Sequence, residues 1–221
     1  MGLLEENFVL PLSDEQAIWL LKDEKKMSRE AAEQLLSSWR KLANDFDYKG
    51  LVAFFIREGY TVRGHALRSG PCVGGLAHLE GQAFLDEPTK NCIAFWVPRM
   101  VPESTYLDID SQRALCTRMR EDYSLLGHHC ADLGTVTLLT ALIHGHFRCT
   151  GEVVPLNGFA IRTTTLGPSS DRESAVAPER YYLKIGFYSS GLFCDVYGRP
   201  EGDDRLGFFP LGIEELPTSK K

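Results

Sequence analysis

Residues 127–150 read GHHCADLGTVTLLTALIHGHFRCT. The apolar run inside them, 136–143, must be buried if the chain folds, so the stretch reads as a core helix with polar ends. Those ends hold four of the six histidines of the chain, His128, His129, His144 and His146, together with Cys130, Cys149 and Asp132. Histidines and thiols bracketing a buried helix are what a metal or proton-transfer site requires. They are equally what an ordinary core helix carries where it reaches the surface.

Helix geometry separates these residues into two groups. In a continuous helix over 131–150 each residue rises about 1.5 Å, which sets His129 and His146 about 25 Å apart. Zinc gathers its nitrogen and sulfur ligands within about 2.3 Å of one point, so the two ends cannot share a metal unless the helix breaks, and Gly134 is the obvious weak point. At the first end, His128 and Asp132 share a face if the helix is already formed there. The positive end of the helix dipole is sufficient reason for Asp132, and it biases the histidines towards the neutral form that a ligand or general base requires. At the second end, His146 and Cys149 share a face while His144 points about 160° away from His146 at about 100° per residue. The dipole favours cationic side chains before Gly151, which accounts for His144, His146 and Arg148 without any ligand.

Upstream of this stretch, Ser13 and Gln16 form a capping-box signature and Ser28 is a candidate N-cap. Ala32, Leu35, Leu36, Trp39, Leu42, Ala43 and Phe46 follow a 3.6-residue period, and Tyr48, Leu51, Val52, Phe55 and Ile56 continue a helical spacing as far as Gly59. Segments 61–67 and 92–97 read as strands, with a glycine-rich segment, 69–81, between them. Ile109, Leu115, Cys116, Met119, Tyr123 and Leu126 mark a further helix, and Gly127 suggests that it forms a hairpin with the histidine helix. Downstream, 159–165 is a strand candidate, 181–188 and 192–197 form a hairpin around Ser189-Ser190-Gly191, and 206–209 adds a short edge strand. The expected architecture is α+β: N-terminal helices, a mixed or antiparallel sheet, a central helical hairpin packed on the sheet and a C-terminal β-hairpin. One domain over 1–221 is expected, with 1–58 as a helical layer or subdomain and 59–221 as the α+β body.

A chain of 221 residues can bury a full core. Its formal charge of −6 argues against a nucleic-acid partner, because that affinity comes from clustered Lys and Arg. The six cysteines, at 72, 92, 116, 130, 149 and 194, include no CxxC pair, so reduced and mostly buried thiols are expected. The start of the chain lacks a basic leader, and no apolar run reaches the 18 to 20 residues or so that span a bilayer. A soluble, cytoplasmic protein without membrane contact is the expectation.

Four further constellations carry chemistry. Cys72 sits in the loop Gly70 to Gly75 a few residues from His78, where a thiolate with a nearby cation would be nucleophilic. The loop lacks both phosphate-binding glycine fingerprints, and a plain surface loop is the simpler reading. Arg63 and His65 would project from one strand face and could hold a carboxylate or phosphate, or else lie on a solvated face. On the C-terminal hairpin, Tyr182 and Tyr188 share a face with Lys184, and Tyr197 shares a face with Phe193 and Asp195 on the partner strand, giving either a stacking platform or a covered core face. The hydroxyls of Thr163, Thr164 and Thr165 beside Arg162 could line a polar pocket.

Nothing in the sequence demands chemistry. The expected function is therefore a non-catalytic binding or accessory protein for a protein partner or small-molecule ligand. The alternative is a hydrolase or transferase using His128, His129 and Asp132, joined by Cys72 and His78 if the segments converge. A zinc-like metal on His128, His129 and Asp132 belongs to that alternative and is not favoured, since the spacings match known ligand sets only loosely.

Overall fold

A computed structural model describes residues 7–66, 81–125, 133–156, 158–166, 182–188, 191–197 and 204–217, with backbone alone at 166, 182–183, 187–188 and 191–197. In chain order the elements are β1 (Val9–Pro11), α1 (Asp14–Lys25), α2 (Arg29–Asp45), β2 (Ala53–Ile56), β3 (Cys92–Trp96), α3 (Ile109–Asp122), α4 (Val136–Thr150), β4 (Ala160–Leu166), β5 (Tyr182–Tyr188), β6 (Gly191–Tyr197), β7 (Leu206–Gly207) and β8 (Leu211–Glu215). Both serines cap as expected. Ser13 and Gln16 exchange bonds, with Ser13 N donating to Gln16 Oε1 at 2.8 Å, and Ser28 Oγ accepts from Ala31 N at 3.2 Å.

The strands form two sheets, and the class is α+β. β1, β2, β3 and β8 lie side by side in that order, all antiparallel, with Val9 opposite Ile56, Ala53 opposite Phe95 and Cys92 opposite Glu215. The second sheet runs β6-β5-β4-β7; the C-terminal hairpin β5–β6 is antiparallel and β4 pairs with β7 in parallel. The period-2 alternation of the first sheet explains its burial on both faces. Ile93 and Phe95 point into a cluster with Leu21, Leu35 and Leu42 from α1 and α2, and Trp39 stacks on Phe95 at 5.6 Å and 13°. Ala94 and Trp96 point the other way, into a cluster built on α4. α4 is buried from Val136 to His146 without a break, as its apolar run requires.

Close approach fixes where α4 sits. A Cβ on Gly145 would stand 2.6 Å from Val9 Cβ, so the helix lies against β1 at a distance only glycine allows. At the other end Gly134, with φ +80°, turns the chain into the helix, and a Cβ there would meet Leu211 at 2.6 Å. α3 belongs to a third cluster with Val101, Leu133 and Phe208. Its buried Gln112 ties it to the second sheet, Nε2 donating to Ser104 O at 2.8 Å and to Leu206 O at 2.9 Å. Gly127, the expected turn between α3 and α4, lies outside the described residues.

Three local expectations are corrected. The third N-terminal helix is instead strand β2. Val52, Ala53, Phe54 and Ile56 are all buried, with Phe54 and Ile56 on the α4 side and Val52 and Ala53 on the α1–α2 side; a short run apolar on both faces suits an inner strand, and its helical spacing was coincidental. The strand expected over 61–67 is a π-helical turn, Val62–Ala66. Thr61 closes it, with Oγ1 accepting from Gly64 N at 3.0 Å and its carbonyl from His65 N at 3.1 Å, so local side-chain bonds outcompete extended pairing. The histidine helix begins at Val136 and not at 131. Among the described residues no helix is long and apolar enough to cross a membrane.

Candidate functional site

The sequence around the start of α4 leaves one backbone donor over. Thr135 is the N-cap, in extended conformation, and its Oγ1 accepts from Leu138 N at 3.2 Å. Val136 N donates across to Thr165 Oγ1 on β4 at 3.0 Å. Between them, the N–H and the hydroxyl of Thr137 have no hydrogen-bond partner among the described residues, although Thr137 is only 4% exposed. An unsatisfied donor at a helix N-terminus is a group that an acceptor can take up.

Thr137 lines a cleft of about 260 Å³ with Thr135 and Leu138 of the same turn. Ile213 and Glu215 of β8 form a second wall, and Glu87 to Lys90 with Cys92 form the third. That third wall is held from behind. Thr89 Oγ1 donates to Arg57 O at 2.6 Å and accepts from Tyr60 N at 3.1 Å, and Thr89 and Tyr60 also share a backbone bond of 2.8 Å. Lys90, Glu87 and Glu215 stand exposed at the rim, and none of their side chains forms an ion pair among the described residues. Cys92 is buried in the wall. Burial, with Glu215 nearby, pushes its thiol up to about 12, so it is a protonated apolar group and no nucleophile at neutral pH.

The far end of α4 is closed. His144 is 2% exposed, with Nδ1 3.0 Å from Tyr60 Oη and Nε2 without a partner among the described residues. Burial lowers its pKa to about 4. His146 packs edge-on against Trp96 at 5.9 Å, and burial lowers its pKa too. Both rings are neutral at pH 7, which corrects the expectation of cationic side chains serving the dipole there: desolvation outweighs an attraction of about 1 kcal/mol. Cys149, on the same helix, is exposed. The crevice beside His144, lined by Val9, Tyr60 and Gly145, measures about 10 Å³, room for one water at most.

Arg63 donates from Nε to Asp86 Oδ1 at 2.8 Å, and His65 folds back to accept from Thr61 N at 2.9 Å while its ring packs on Phe8 and Tyr60 at 4.5 and 5.2 Å. They sit on a turn, not on a sheet face. Tyr182 lies opposite Tyr197 and Tyr188 opposite Gly191 in the β5–β6 ladder, but their side chains lie outside the described residues. So do Cys72, His78, His128, His129 and Asp132 entirely. Among the described residues no three His, Cys, Asp or Glu side chains gather as a metal would need. Arg162 is buried, its Nη2 reaching Leu107 O at 3.4 Å, and Thr165 serves as the cap partner of Val136.

Sequence reading passed over Thr135, Thr137 and Lys90. Gly134-Thr135 before an apolar run is a helix-start signal that marks the cap, but no local pattern brings 87–92 and β8 beside it. Comparison with protein-family models, with curated proteins and with solved structures finds no match to this chain.

Proposed function

We propose that this is a cytoplasmic, non-catalytic binding or accessory protein whose ligand is a small molecule held in the cleft at the start of α4. The observation that carries the reading is the composition of that cleft. A floor of Leu138, Ile213 and Cys92 is edged by uncommitted polar groups on Thr137, Lys90, Glu87 and Glu215. An apolar body with a few convergent polar groups is what a small-molecule site requires. The net charge of −6 supports a partner other than nucleic acid.

The test is a thermal-shift screen of small metabolites repeated on Pro88→Trp, which places a large ring at an exposed position of the cleft wall. Compounds that raise the melting temperature of the wild type and fail to do so in the folded variant support the reading. Equal shifts in both proteins, or no binder at all, overturn it.

A further inference from the structure

The polar groups around the cleft are of both signs, and they are distributed over different elements. On α4 the Thr137 N–H and hydroxyl are donors without acceptors among the described residues, at the positive end of a helix of 15 residues. Thr137 is 96% buried as a residue and lines the cleft. Lys90 adds a full positive charge at the rim. Against these stand the carboxylates of Glu87 and Glu215, which also line the cleft and have no ion-pair partner among the described residues. A phosphate or dianion would meet two negative charges there, and a simple cation would leave the Thr137 donors unanswered.

Resting on the cleft as the ligand site, we infer that its ligand is a small zwitterion of the free amino-acid class with an apolar side chain. Its carboxylate accepts from Thr137 N–H and Oγ1 and faces Lys90. Its ammonium faces Glu87 and Glu215. The side chain lies on Leu138 and Ile213. A volume of about 260 Å³ suits a molecule of this size and excludes a folded peptide segment.

The experiment titrates the full chain, by ligand-observed and protein-observed NMR, with leucine, valine, methionine and phenylalanine, each beside its N-acetyl acid and its primary amide. The acetyl group removes the positive end and the amide removes the negative end. At least one free amino acid should bind tenfold or more tightly than both of its derivatives. Thr137→Val, which keeps the shape and removes the hydroxyl, should weaken that binding about tenfold, as expected for losing a hydrogen bond to a charged group. Lys90→Met, at an exposed position, is the companion variant should Thr137→Val fail to fold. Derivatives that match their parents overturn the zwitterion assignment, and so does an absence of binding across the panel. In the second case a different compound displaced by Pro88→Trp leaves the cleft as the ligand site, whereas binding that ignores Pro88→Trp removes the cleft itself.

Discussion

At its first turn α4 leaves a backbone N–H and a threonine hydroxyl beside a cleft of about 260 Å³, whereas near its last turn the same helix closes His144 beside a crevice of about 10 Å³ and buries His146 against Trp96. Residue type alone would rank the ends the other way, since imidazole is the more versatile chemical group. Packing reverses the ranking. His144 and His146 have spent their chemistry on burial against Tyr60 and Trp96; burial lowers the pKa of both rings, that of His144 to about 4, so neither serves as a cation at pH 7. Thr137 has little intrinsic chemistry, but its donors are uncommitted, and binding depends on what is left unpaired.

The closed end should therefore fail through stability. Trp96 is fully buried and meets Phe54, Phe209 and His146 edge-on at 5.6 to 5.9 Å. Trp96→Ala should cost about 3 to 5 kcal/mol in denaturant unfolding, the range for removing a large buried aromatic. A loss under about 1 kcal/mol would show that the α4 face of the sheet is not the core it is taken to be.

The next effect depends on pH. An unfolded histidine takes up its proton near 6.5, and folded His144 does so near 4. As pH falls through 6.5 the unfolded chain binds a proton that the folded chain refuses, so stability is lost from there downward, and the loss is complete near 4. The shift is worth about 3 kcal/mol. His146, lowered by the same cause, acts in the same direction. In His144→Phe the loss of unfolding free energy between pH 6.5 and 4 should shrink by about that amount; an unchanged loss would place the titration elsewhere.

How much of this could be read from the residues follows from the range of the forces involved. The capping serines, the amphipathic α2, the apolar run of α4 and the C-terminal hairpin are local patterns, and each forms as its own sequence dictates. β1 and β8 were not anticipated because Val9–Pro11 and Leu211–Glu215 are short and become strands only by pairing with β2 and β3. β2 reads as a helix because the helical spacing of Val52, Phe55 and Ile56 is coincidental, and only pairing between β1 and β3 makes the segment a strand. The cleft was invisible for the same reason. Glu215 and Lys90 are brought to Thr137 by a ladder joining residues more than a hundred positions apart. The fate of the histidines needed burial, which α4 has on every side at His144 and His146, not only on one.

The smallest effect sharpens the comparison most. Thr135 contributes one cap bond, from Leu138 N to Oγ1 at 3.2 Å, and its side chain is exposed. Thr135→Ala should cost about 1 kcal/mol, a fall of about 2 to 4 °C in melting temperature for a chain of this size. Because threonine does not titrate, the cost should be the same at pH 7.5 and at pH 4.5, while the cost of altering His144 changes across that window. Measuring both variants at both pH values therefore separates the two ends of the helix. A pH-dependent penalty for Thr135→Ala would mean that an ionisable group reports on the first turn, and the open end would then have to be redrawn around that group.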